Sequence, residues 1–130
     1  MTNLIETLSI ASSGMQAQSE RLRFISENIA NEDTPGYRRK LATFEEVIRG
    51  GEGTGMVRSG PVELDQSDLA RTFSPGHPMA EQTGYYDGSN VNLVVEVADA
   101  REAQRSYEAN LRVFDQARQM SQNLLEILKR

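Results

Sequence analysis

The sequence predicts a mainly α fold: long N- and C-terminal amphipathic helices enclosing an irregular Gly/Pro-rich middle that holds short β segments. Three observations lead there. All four prolines and nine of the ten glycines lie between residues 35 and 88. Residues 89–130 contain neither. On both sides of that middle, apolar residues recur in alternating steps of four and three, which is helical spacing with a heptad repeat. Gly and Pro are the strongest local breakers, so the two ends are free to be helical and the middle is not. The chain divides into an N-terminal helix (1–34), a turn-rich middle (35–88) and a C-terminal helix (89–130), making one structural unit.

The first helix is expected over about residues 4–30. Leu4, Leu8, Ala11, Met15, Gln18, Leu22, Ile25 and Ile29 fall on one face, and all but Gln18 are apolar. Asn3, with Glu6 three residues on, fits an N-cap with a reciprocal acidic residue. The helix is expected to stop at Asn31, which suits a C-cap conformation, and Thr34 is pushed out of the α region by Pro35.

The middle reads as turns. Gly50 to Gly55 reads as a flexible loop. Met56-Val57-Arg58 and Pro61 to Asp65 have weak strand character and suggest a hairpin about Ser59-Gly60. Gly76-His77-Pro78 and Asp87-Gly88 read as turns.

The second helix is expected over about residues 91–129 and carries two stripes. One is Leu93, Val97, Ala100, Gln104, Tyr107, Leu111 and Phe114, returning at Leu125 and Leu128 after polar Arg118 and Ser121. The other is Val113, Ala117, Met120, Leu124 and Ile127. Such a helix is about 57 Å long at 1.5 Å per residue, which points to a coiled coil or bundle. The stripes could pack on each other as an antiparallel hairpin or bind other subunits. The unequal helix lengths and the wide C-terminal apolar face favour the second.

Composition narrows the function. At 130 residues there is room for one domain. With 14 basic and 19 acidic residues the net charge is −5, which excludes a general nucleic-acid binder. The hydrophobic fraction, 38%, is low for a packed globular domain, so a large core is not expected. There is no cysteine, hence no disulfide or thiolate site. No apolar run approaches a membrane span, and direct membrane insertion is not expected. Met1 to Glu6 lacks a secretory signal's basic and apolar regions, so any export is expected to proceed without signal cleavage.

Nothing suggests catalysis, a cofactor, a metal or a small-molecule substrate. His77, the single histidine, lies in a Gly-Pro turn and reads as a solvated loop residue. The loop at 50–55 lacks the Gly-Lys-Ser/Thr of a phosphate cradle. Asp65 and Asp68 lack the glycine and terminal glutamate of a calcium loop. Glu45-Glu46 reads as a solvated face.

Two stretches carry a resemblance. The first is Asn28-Ile29-Ala30-Asn31, followed by Thr34-Pro35-Gly36-Tyr37 and the basic run Arg38-Arg39-Lys40. The second is Asn90-Val91-Asn92, opening a helix that carries Arg105, Tyr107, Glu108, Ala109 and Asn110. Together, in this order, they resemble the signature of bacterial flagellar rod and hook proteins. The segment Ser74 to Pro78 before Gly84-Tyr85 is similar to that of a proximal-rod subunit, while the compact turn before Tyr37 is closer to the proximal-rod subunit FlgB.

The resemblance implies a structural, non-enzymatic subunit of the proximal rod in the flagellar basal body. It implies assembly in the periplasm into a drive shaft that passes torque to the distal rod and hook. It also implies terminal helices paired as a coiled-coil layer, export through the flagellar apparatus, and partners among copies of the chain itself, FlgB, FlgF, FlgG and FliE. The expected assembly surface is the set of stripes, from Leu4 to Ile29 and from Leu93 to Leu128. The segment from Asn28 to Tyr37 is expected to be a fixed joint, with Gly36 supplying a positive φ and the basic run free to meet Glu45 or Glu46 of another copy. The rival from another class is a small helical adaptor that binds one partner.

Overall fold

A computed structural model describes residues 2–130. Helix α1 spans Thr2–Ala30 and helix α2 spans Leu93–Lys129. Between them lie six short strands: β1 (Lys40–Leu41), β2 (Phe44–Arg49), β3 (Glu52–Ser59), β4 (Glu63–Leu64), β5 (Arg71–Phe73) and β6 (Tyr85–Asp87). They pair antiparallel in three two-stranded sheets, β1 with β4, β2 with β3 and β5 with β6.

The two helices pack along each other as an antiparallel hairpin. Asn28 meets Glu96 at one end of the contact, and fourteen residues along both chains Gly14 meets Asn110. A Cβ added to Gly14 would sit 2.7 Å from the Asn110 amide, so the backbones approach as closely as glycine permits. The seam on the α2 side is small and polar: Glu96, Ala103 and Ala117 are buried, with Asn110 at the same heptad position. On α1 the buried residues are Ala11, Ser13, Ala17, Phe24, Ile25 and Asn28. Arg21 reaches across to Asp99 and Glu102 at 3.8 and 3.5 Å.

Several expectations are corrected. The hairpin lies elsewhere: β2 and β3 turn at Gly50-Gly51, with φ of 60° and 82°. Positive φ at both central residues is what a tight two-residue hairpin needs, so the glycine pair is a turn and not a flexible tether. Met56 to Arg58 is in a strand as expected, but pairs with β2, whereas Glu63-Leu64 pairs with β1. Asp87 ends a strand and is not in a turn. Asn3 is not an N-cap, because the helix already runs from Thr2, and the Asn3 carbonyl accepts from the Thr7 hydroxyl at 2.8 Å. Helix α2 begins at Leu93, two residues later than expected, with Asn92 as its N-cap accepting from the Val94 N–H at 3.0 Å.

Strand β3 lies along α1. The Ser13 hydroxyl accepts the Val57 N–H at 3.1 Å, and a Cβ at Gly55 would stand 3.2 Å from Ile10. The middle region is therefore fastened to the first helix.

Candidate functional site: a polar joint and an outward helix face

The chain leaves α1 through a tight turn. Asn31 ends the helix without the left-handed conformation expected of it, since no non-glycine among the described residues has positive φ. Instead its side-chain amide donates to the Glu27 carbonyl at 2.8 Å, and its side-chain oxygen accepts from the Thr34 hydroxyl at 3.1 Å. Gly36 takes φ of 76°, and its N–H donates to the carbonyls of Asp87 and Gly88. A side chain there would meet nothing within 4 Å, so the demand for glycine comes from the backbone alone.

Beyond the turn, Asn28 organises the returning chain. It is fully buried and satisfied on both sides of its amide. Its oxygen accepts from the Lys40 N–H and the Tyr37 hydroxyl, both at 2.8 Å. Its NH₂ donates to the Lys40 carbonyl at 3.0 Å and to Glu96 at 3.3 Å. A side chain on α1 thus pairs with the backbone of β1 as a neighbouring strand would.

Glu96, equally buried, accepts from Arg39 Nε at 2.6 Å. The same guanidinium reaches Asp65 at 3.3 Å and Asp99 at 3.2 Å. Burial opposes the charge on Arg39, but Glu96, Asp65 and Asp99 outweigh it and hold its pKa above the ordinary value. The Ser67 N–H and hydroxyl, with Arg39, hold the Asp65 carboxyl below its ordinary range. Lys40 lies 2.6 Å from Glu27, lowering the glutamate's pKa and raising the lysine's. Burial pushes the Tyr37 phenol up.

Asn90 completes the joint. Its side-chain oxygen accepts the Arg39 N–H at 2.7 Å, and its NH₂ donates to the Asp65 carbonyl at 2.9 Å. The Ser89 hydroxyl donates to the Glu32 carbonyl, tying the start of the C-terminal segment to the turn after α1. One network therefore locks the end of α1, the turn, β1, the Asp65 loop and the start of α2.

The basic run is spent inside the chain. Arg38 donates to the Asp65 and Ser67 carbonyls, while Arg39 and Lys40 have the partners above. Glu45 pairs with Arg58 at 3.3 Å and Glu46 accepts from the Gly55 N–H, so neither waits for that run. His77 is half-buried: its ring stacks on Tyr86 at 4.0 Å and its Nδ1 accepts from the Met79 N–H.

The expected assembly residues divide by helix. On α1, Ala11 and Ile25 are buried, Leu4, Leu8, Met15 and Leu22 half-buried, and Ile29 exposed. On α2, Ala117 is buried and Ala100 and Phe114 half-buried. Leu93, Val97, Tyr107, Leu111, Met120, Leu124, Ile127 and Leu128 are exposed. Of the second motif, Asn110 faces α1, whereas Arg105, Glu108 and Ala109 point outward. Sequence reasoning missed Glu96, Asp65 and Asp99. Glu96 was signalled only by standing one heptad before Ala103 and two before Asn110.

The two ends that meet in this joint are also those that match known families. Residues 8–38 match the family model described as flagella basal body rod protein, and residues 82–127 match that described as flagellar basal body rod FlgEFG protein C-terminal. The flagellar basal-body rod protein FlgC of Agrobacterium fabrum is 42% identical over 127 residues, covering 92% of this chain and 91% of the relative. The chain belongs to the FlgC family of flagellar basal-body rod proteins. FlgC of Salmonella typhimurium is 33% identical over 123 residues, covering 90% and 92% of the two chains. FlgC of Borreliella burgdorferi is 33% identical over 150 residues, covering 97% and 98%. The FlgC family supplies structural parts of the basal-body rod, and in this member the joint unites its two family-matching ends.

Proposed function

We propose that this FlgC-family chain is a structural, non-catalytic subunit of the proximal rod of the flagellar basal body. It assembles in the periplasm with copies of itself and with the other rod subunits FlgB, FlgF, FlgG and FliE. Its helix pair joins a coiled-coil layer, and the finished rod carries torque to the distal rod and hook. It reaches the periplasm through the flagellar export apparatus, without signal cleavage. The observation that carries this reading is the division of α2: its small and polar side is used against α1, and Leu93, Val97, Leu111 and Met120 are left exposed. A helix with that much apolar surface outward is built to be covered by neighbours.

Leu111→Asp tests the reading. A carboxylate on the outer face leaves the helix hairpin folded but must be desolvated in any assembled rod. The expected result is a non-motile strain whose subunit is still exported and still helical. Wild-type swimming would count against assembly through this face.

A further inference from the structure

We propose that His77 is a pH-operated latch: its neutral ring holds the turn between β5 and β6 closed through Met79, and protonation releases that hold while the ring stays on Tyr86. The inference concerns the outer hairpin alone and goes beyond the reading of the chain as a rod subunit.

The turn is built in two parts. Its base is backbone: the Ser74 N–H donates to Gly84 and the Glu81 N–H to Tyr85, both at 2.8 Å. Gly84, with φ of 87°, lets the returning chain pass under Phe73, whose ring a Cβ there would meet at 2.7 Å. Its outer part runs through Gly76-His77-Pro78-Met79. There the His77 N–H donates to Ser74 and the Ala80 N–H to His77, each at 3.0 Å, while Pro78 has no N–H to give. The Met79 N–H donates to His77 Nδ1 at 3.1 Å. Among the described residues it has no other acceptor. The imidazole is therefore the only side chain that fastens the outer part of the turn.

That fastening needs a lone pair on Nδ1, so the ring must be neutral with its hydrogen on Nε2. A proton arriving on the ring takes that lone pair. Two N–H donors then face each other, and the ring must swivel away from Met79. Histidine is the side chain that changes charge between about pH 5 and pH 8. The stack on Tyr86, 4.0 Å between centroids and 10° from parallel, survives the change, because a cation over a phenol face is attracted to it. The lost hydrogen bond and the strengthened stack offset each other. The turn thus rearranges while the urea midpoint stays flat around neutrality.

No other charge competes for the ring. Strands β5 and β6 pack chiefly on each other. Tyr86 pairs with Thr72, and these two share the face on which His77 lies. Arg71 and Asp87 pair on the opposite face, where Arg71 also holds Glu81, both carboxylates at 3.0 Å. Those three charges are spent on one another. Met79 is exposed, so release of its backbone changes the apolar surface that the hairpin presents.

NMR of the full-length chain between pH 5 and pH 8 tests the latch. His77 is the single histidine, so its ring signal reports its own charge without overlap. The Met79 amide protection factor should fall about tenfold as the ring charges, with the same midpoint, which is the worth of one hydrogen bond. His77→Asn places a side-chain oxygen where it can accept from the Met79 N–H at every pH, and protection should then be constant. His77→Phe keeps a ring on Tyr86 without an acceptor, and protection should be low throughout. Met79 protection that ignores the ring's titration would overturn the latch. So would a His77→Asn chain that loses protection at the wild-type midpoint, or a His77→Phe chain as protected as the neutral wild type. Loss of the Tyr86 ring-current shift on acidification would overturn the swivel, because the whole turn would then have opened.

Discussion

Asn28 spends every hydrogen-bonding position of its amide on three different parts of the chain, which makes it the most demanding side chain in the molecule. Asn28→Ala would leave the Lys40 backbone, the Tyr37 hydroxyl and one Glu96 oxygen without partners in a buried site. The expected loss is about 2–4 kcal/mol, read from urea denaturation of the purified protein. Glu96→Leu should also be costly, because Arg39 would lose its buried partner, although Asp65 and Asp99 remain. Gly36→Val should cost about 1 kcal/mol or more through its φ of 76° alone. A loss below a few tenths of a kcal/mol for Asn28→Ala would show that the network is not what holds the joint.

The joint also sets a pH dependence. The Glu27 and Asp65 carboxyls have folded pKa values below their ordinary ones, so the stability they contribute is present above the ordinary carboxylate pKa of about 4 and is lost as pH falls through and below it. Lys40 and Tyr37 are shifted upward, so their contribution is present at neutral pH and lost only in strong alkali. The urea midpoint should therefore be flat around neutrality and drop between about pH 5 and pH 3. A midpoint that rises on acidification would contradict these directions.

At the scale of the elements, helices and seam behave differently. The helices themselves were legible: the confinement of proline and glycine to the middle marks where a helix cannot run, and Thr34-Pro35-Gly36 marks where the first one ends. The seam was not. A four–three period says that a helix has an apolar face, but not whether that face meets the same chain or another. Here Ala103 and Ala117 face inward with Glu96 between the helix ends, and the larger Leu111 and Val97 face outward. Close backbone approach, which selects small residues, decided against bulk. The glycine pair at the β2–β3 turn was misread for a related reason, because glycine signals both flexibility and the positive φ of a tight turn.

This division predicts opposite behaviour for two substitutions on one helix. Ala103→Leu forces a large side chain into a position with no exposed surface and should cost about 1–3 kcal/mol, lowering the melting temperature. Leu111→Asp should change the stability of the isolated chain by about 0.5 kcal/mol or less, since the residue is already exposed. If Leu111→Asp unfolds the monomer while Ala103→Leu does not, the seam has been assigned to the wrong face.

The whole molecule is a helix hairpin with a middle region fastened to it, and the polar joint sets the angle between them. Because every subunit repeats the joint, an error in its geometry accumulates along a polymer instead of averaging out. Gly36→Val is therefore expected to yield shortened rods more than lost subunits, visible by electron microscopy of isolated basal bodies. Full-length rods with normal swimming would mean that the turn is merely a linker.

The central claim is that one side of α2 holds the chain together while the other holds the rod together. A density map of an isolated basal body, with this chain traced in it, tests it most directly. The account predicts α1 and α2 in the same antiparallel register, Asn28 beside Glu96 and Gly14 beside Asn110, with Val97, Leu111 and Met120 covered by neighbouring subunits. A map in which α1 and α2 separate, or in which that outer face remains bare, would contradict it.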